Sequence, residues 1–172
     1  MQKIILVGYM AVGKTTIAEL LSKETSIEWV DLDKWIENEV ALSVSDIFKE
    51  KGEIYFRKIE HTLFKELVQN SKNTIISTGG GTPCYANSHL LLQGENVISI
   101  YLKGSIETIY QRLRAEKQQR PLVANQSEGE LKEFIAKHLF ERSFFYNQAS
   151  HTISVDGKTP QEIGKEIIAL LN

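Results

Sequence analysis

The chain has a single cysteine, Cys84, so no internal disulfide can form and no cysteine cluster can hold a metal. Its four histidines, His61, His89, His138 and His151, fall at no metal-ligand spacing. Neither sign of charge dominates: 20 Lys and Arg stand against 22 Asp and Glu, a net charge of −2. There is therefore no basic field of the kind that draws nucleic acid. No apolar run approaches the ~20 residues a bilayer-spanning helix needs. The N-terminal stretch also lacks the charged and apolar regions of a signal peptide. With only three prolines, no Pro/Ser-rich linker, repeat or low-complexity tract breaks the chain. The expectation is a cytoplasmic chain without nucleic-acid or membrane partners, folded as one domain over its 172 residues.

What the sequence does have begins at Gly8, where Gly-Tyr-Met-Ala-Val-Gly-Lys-Thr-Thr fits the phosphate-loop spacing Gly-x4-Gly-Lys-[Ser/Thr]. Backbone N–H groups at a helix N-terminus hold polyphosphate, so the chain must turn tightly and lie close to the ligand. Gly8 and Gly13 permit that turn because other residues resist positive φ. Lys14 can reach the β- and γ-phosphates, and the Thr15 hydroxyl can ligate Mg²⁺. The alternative is a chance Lys-Thr after a glycine turn; the full spacing, the preceding strand and the amphipathic run after it disfavour that. The expected ligand is a nucleoside triphosphate.

Strand-like runs fall at 3–7, 28–31, 74–77, 96–102 and 151–155. Helical patterns lie between them, at 14–23, 33–40, 44–51, 54–69, 105–114, 130–147 and 160–171. Ser105, and Thr159 ahead of Pro160, read as helix caps. Short, continuously apolar strands alternating with helices predict a parallel sheet covered on both faces, a three-layer α/β/α domain. Ligands in such sheets sit beyond the carboxyl ends of the strands.

The polar candidates cluster there. Asp31 and Asp33 follow the second strand, and extended alternation would point both to one side, with Leu32 opposite. One carboxylate suits the Mg²⁺ shell and the other a substrate hydroxyl; the plainer reading of Asp33 is a helix cap. Gly79-Gly80-Gly81 follow the third strand, either as a flexible turn or where a ligand approaches the backbone. Arg57 and Glu60 sit three residues apart on one helix face, which suits either a fixed guanidinium for carboxylate recognition or a surface bridge. The segment from Arg112 to Gly129, with Arg114, Lys117 and Arg120, reads as a cationic flap or as an ordinary solvated loop. Arg142, among Phe140, Phe144 and Phe145, either snorkels or points into the site. Trp29 and Trp35 read as packing residues.

Together these pieces resemble shikimate kinase over nearly the whole chain. The resemblance rests on the Gly8–Thr16 loop, Asp31-x-Asp33, Phe56-Arg57-x-x-Glu60, Gly79-Gly80-Gly81, Arg120-Pro121-Leu122 and Arg142-x-x-x-Tyr146. It implies a P-loop NTPase fold of the nucleoside-monophosphate-kinase type, with a five-stranded parallel sheet in the order 2-3-1-4-5. It also implies a single domain, 1–172, with a shikimate-binding helical region at about 33–60 and a lid at about 112–127. The implied reaction moves the γ-phosphoryl group of ATP to the 3-hydroxyl of shikimate, a step in aromatic amino-acid biosynthesis.

By the same resemblance, Ala11, Val12, Gly13, Lys14, Thr15 and Thr16 hold the ATP phosphates, and Thr15 and Asp31 serve Mg²⁺. Asp33 contacts the ring hydroxyls and is the candidate base. Arg57 and Arg142 hold the carboxylate, with Gly79, Gly80 and Gly81 assisting. Arg120 is the lid arginine on the phosphates, and Arg112, in preference to Arg114, stacks on the adenine near the 154–160 loop. Ala11 stands where the family usually has another glycine, and Val123 where the lid motif often has Leu. A monomer is expected. Two rivals remain: a kinase for gluconate or a nucleoside monophosphate, and a nucleotide-gated binding module. For the latter, the guanine-specific and Asp-x-x-Gly switch motifs are absent from the sequence.

Overall fold

A computed structural model describes residues 2–115 and 126–171. Its centre is β1 (Lys3–Val7), whose residues are all buried. Ile4, Ile5, Leu6 and Val7 are each fully inaccessible to solvent. Since successive strand residues point to opposite faces, both faces of the sheet must be covered. β1 pairs in parallel with β3 (Thr74–Ser77) on one side and β4 (Val97–Lys103) on the other. β2 (Trp29–Asp31) extends the sheet beyond β3, and β5 (His151–Ser154) extends it beyond β4. The order is β2-β3-β1-β4-β5, as the resemblance implied.

Among the described residues, seven α-helices connect and flank the strands: α1 (Lys14–Thr25), α2 (Leu32–Val40), α3 (Val44–Lys51), α4 (Glu53–Gln69), α5 (Ile106–Ala115), α6 (Glu128–Tyr146) and α7 (Pro160–Leu171). Their bounds depart from the sequence expectation by a residue or two at several ends, the usual latitude of helix termini. The caps behave as read: Ser105 Oγ accepts from Thr108 N at 3.2 Å, and Thr159 Oγ1 from Glu162 N at 3.3 Å. Two short 3₁₀ turns, Thr82–Cys84 and Ser88–Leu92, were not anticipated; each is too brief to leave a periodic signal.

The register sets where the site can form. Leu6 and Asp31 both pair with Ser77, so β1, β2 and β3 end nearly level. The residues that follow, Gly8, Leu32 and Thr78, emerge along one edge. Thr78 binds the Leu6 carbonyl through both its N–H (3.2 Å) and its hydroxyl (2.8 Å), holding the start of the triple-glycine segment against β1. α2, α3 and α4 pack on one another beside this edge. Ser43 caps α3 by accepting from Asp46 N at 3.1 Å, and Gly52, at φ +83°, turns the chain into α4.

Candidate active site

The loop after β1 bends as its glycines require. Gly8 has φ +146° and Gly13 has φ +97°. A Cβ on Gly8 would lie 2.6 Å from the Leu102 carbonyl oxygen, on the neighbouring strand. Gly8→Ala therefore meets both an unfavourable φ and a backbone clash. It is expected to cost about 1–3 kcal/mol of stability in urea titration; an unchanged midpoint would contradict this reading of the turn. Ala11 is also left-handed, at φ +63°. Ala11 thus holds a backbone conformation that favours glycine, at a cost of ~1 kcal/mol.

At the start of α1 the Lys14 ammonium donates to the Gly8 and Tyr9 carbonyls at 2.8 and 2.9 Å, curling over its own loop. Thr15 Oγ1 donates to Asp31 Oδ2 at 2.9 Å and lies 3.3 Å from Ser77 Oγ. The hydroxyl and carboxylate expected to serve a divalent cation are therefore adjacent. The other Asp31 oxygen accepts from Lys34 N at 3.2 Å, so Asp31, rather than Asp33, caps α2. Asp33 is inside the first turn of α2 and not on an extended segment. The helical turn nonetheless brings both carboxylates to one hollow of about 280 Å³, shared with Lys14, Thr15 and Gly79. Leu32 is fully buried on the other side.

Asp33 also lines a second, adjoining hollow of about 150 Å³, walled by Val44, Phe48 and Phe56 and floored by the triple glycine. Burial, and then the nearby Asp31 and Glu60 carboxylates, push its pKa up to about 6, with Lys14 opposing them. At neutral pH it is mostly a carboxylate able to accept a proton. The sign follows: a raised pKa favours the protonated form in the fold, so this group's contribution to stability is lost as pH rises through about 6. Activity runs the other way. We expect kcat/KM for the hydroxyl acceptor to fall about tenfold per pH unit below that value. An acid limb near the ~4 of an ordinary carboxylate would contradict it.

Each glycine of the triple lies against a different polar side chain. A Cβ on Gly79 would sit 3.1 Å from Asp33 Oδ1, one on Gly80 3.5 Å from Arg142 Nη1, and one on Gly81 2.8 Å from Arg57 Nη2. The run is therefore a floor that bare backbone lets three functional groups approach, and not a flexible turn. Arg57 Nη1 donates to Glu60 Oε2 at 2.9 Å, and Glu60 is only 2% exposed. Thr82 donates to the other Glu60 oxygen at 2.7 Å. The pair is a built, nearly dry fixture and not the surface bridge that spacing alone allowed. Arg142 resolves the same way: it hydrogen-bonds Tyr146, whose hydroxyl donates to the Gly80 carbonyl at 2.6 Å. Burial holds the Tyr146 phenol protonated. Cys84 lies close by, and burial raises its thiol to about 11, which keeps it protonated at neutral pH.

Behind the phosphate loop, Arg112 Nη1 donates to the Val12 carbonyl at 2.9 Å. It lines a hollow of about 200 Å³ with Thr16, Pro160 and Ile163. Pro160, read in the sequence as a helix start, thus also faces this hollow. Arg114 is exposed and is not part of the hollow. Arg120, Pro121, Leu122, Val123 and most of the 112–127 lid lie outside the described residues. The sequence reading missed the walls Val44 and Phe48 and the Thr82 bond to Glu60. The apolar residues there look like ordinary core; a signal was available in Phe48 and Phe56 flanking Gly52, whose rings meet at 4.6 Å.

A parallel sheet in this order, a phosphate loop after its central strand and an acceptor hollow beside that loop define a P-loop kinase of the nucleoside-monophosphate-kinase type. The shikimate kinase family model matches residues 10–172. A shikimate kinase of Flavobacterium johnsoniae is 57% identical over 99% of both chains. The crystal structure of shikimate kinase from Bacteroides thetaiotaomicron superposes with TM-score 0.90 at 31% identity, covering 99% of this chain and 98% of that one. The Acinetobacter baumannii shikimate kinase in complex with shikimate gives 0.86 at 29%, covering 99% and 93%. The chain belongs to the shikimate kinase family.

Proposed function

We propose that this chain transfers the γ-phosphoryl group of ATP to the 3-hydroxyl of shikimate, giving shikimate 3-phosphate and ADP for aromatic amino-acid biosynthesis. The observation that carries this reading is Asp33, which lines both the phosphate hollow and the hollow bounded by Arg57. In this reading Arg57 and Arg142 grip the carboxylate, since a planar fork suits bidentate acid recognition. The Gly79–Gly81 backbone carries the ring, so that the hydroxyl lies between Asp33 and the phosphate loop. Asp33 orients the hydroxyl and accepts its proton, while Lys14 and the loop N–H groups stabilise charge on the transferring group. Arg112 and Pro160 frame the adenine. Arg120 takes the lid role from outside the described residues.

Among the described residues, no group of three or more His, Cys, Asp or Glu is placed to hold a metal. A hydroxyl and a carboxylate 2.9 Å apart suit Mg²⁺, which keeps water and phosphate oxygens as its other ligands. Thr15 and Asp31 would hold it, and it would neutralise charge on the β- and γ-phosphates. We further assign the chain as a single domain over 1–172, with its substrate region at 33–60 and its lid at 112–127. We assign it as a monomer acting in the cytoplasm. No helix among the described residues is long and apolar enough to cross a membrane.

A coupled assay for ADP tests the acceptor, run with shikimate, gluconate and nucleoside monophosphates in turn. ADP release only with shikimate, and a new phosphate ester on that acid, is the expected result. Equal release with gluconate, or release without any acceptor, would overturn it.

A further inference from the structure

Arg57 is held by more than its acidic neighbours. Its Cζ lies 4.1 Å from the centroid of the Tyr85 ring, closer than the 5.2 Å to Phe56 and 5.9 Å to Phe48. Tyr85 follows the short turn Thr82–Cys84, which is closed by Thr82 N to Gly79 O (3.1 Å) and Cys84 N to Gly81 O (2.9 Å). The same turn supplies the Thr82 hydroxyl to Glu60. One turn of backbone, itself pinned to the triple glycine, therefore places both the carboxylate that binds one edge of the guanidinium and the ring that covers its face.

We propose that Tyr85 is a positioning residue for shikimate recognition, stacking on Arg57 so that its donor edge stays aimed at the acid. This rests on the assignment of Arg57 to the substrate carboxylate. Glu60 engages Nη1 alone, and one hydrogen bond leaves the plane of the guanidinium free to swing. Nε, although buried, makes no hydrogen bond and has only the Glu53 carboxylate 3.6 Å away. A second buried carboxylate would fix the plane but compete with the substrate for N–H donors. An aromatic face fixes it while consuming none. The rotamer entropy otherwise lost on binding is then lost in the free protein instead. Tyr85 is 39% exposed, so its ring is not part of the core and its replacement is expected to leave the fold intact.

The test is steady-state kinetics on Tyr85→Leu, which keeps apolar bulk but has no π face, and on Tyr85→Phe, which keeps the ring. Each is made alone and in an Arg57→Ala background. Tyr85→Leu should raise KM for shikimate about five- to twentyfold, with kcat and KM for ATP within about twofold of wild type. Tyr85→Phe should match wild type. With Arg57→Ala already present, Tyr85→Leu should add less than about twofold, because the two act as one unit. An unchanged shikimate KM in Tyr85→Leu, a Phe variant as impaired as the Leu variant, or a full effect persisting without Arg57 would each overturn the proposal. If Arg57→Ala raises KM but Tyr85→Leu does not, only the role of Tyr85 fails. If Arg57→Ala itself changes nothing, the carboxylate assignment fails and Tyr85 with it.

Discussion

Replacing Asp33 by Asn is expected to lower kcat by about a hundredfold to ten-thousandfold, the range a positioned proton acceptor supplies. Asn has the same shape and can still hydrogen-bond a hydroxyl, so the substrate should bind nearly as before. It cannot take the proton. The side chain sits tightly, its Oδ1 3.1 Å from where a Cβ on Gly79 would fall, so Asn should occupy the same place. Lys14 donates to the loop carbonyls and Thr15 to Asp31, contacts the Asn variant leaves in place, so ATP affinity should survive. Rapid-quench turnover and nucleotide titration check both halves. A fall smaller than about tenfold would limit Asp33 to aiming the hydroxyl, as a loose phosphoryl-transfer transition state permits. No fall at all would remove it from the chemistry.

Arg57→Ala should weaken shikimate binding by about 2–5 kcal/mol, the cost of truncating one partner of a desolvated charge pair. Its side chain is 17% exposed and Glu60 2%, so water screens the pair poorly. The same substitution leaves Glu60 buried without its cation, with only the Thr82 hydroxyl on one oxygen. Stability should therefore drop as well, by about 3–5 kcal/mol. Arg57→Lys should restore part of the stability but little of the affinity, because a point charge cannot present a fork. Calorimetric titration with shikimate and a thermal melt separate the two effects. A loss in melting temperature with intact affinity would make the pair structural and move the acid elsewhere.

The parts of this site legible in the sequence are those written in adjacent residues. Gly8, Gly13, Lys14 and Thr15 are tied by covalent spacing, and a strand before them suffices to place the loop. Asp31 and Asp33 were legible as a pair, yet their geometry was not: the helix begins at Leu32, and Asp31 takes the cap. The triple glycine could not be interpreted from one strand end, since its reason lies in Asp33, Arg142 and Arg57, which arrive from α2, α6 and α4. Burial decided the Arg57–Glu60 pair, and burial belongs to the packed α2–α4 group and not to an i,i+3 interval. Val44 and Phe48 were invisible as site walls because an apolar residue facing a small hollow has the same signature as one facing the core.

The central claim is that a hydroxy acid held by Arg57 and Arg142 meets bound nucleotide at Asp33. A crystal structure with shikimate, Mg²⁺ and a non-hydrolysable ATP analogue tests it most directly. The account predicts the carboxylate on both guanidinium groups and the 3-hydroxyl within about 2.6–3.2 Å of the Asp33 carboxylate, facing the terminal phosphate. Shikimate bound away from the arginine pair, or with its 3-hydroxyl turned from the phosphate loop, would contradict it.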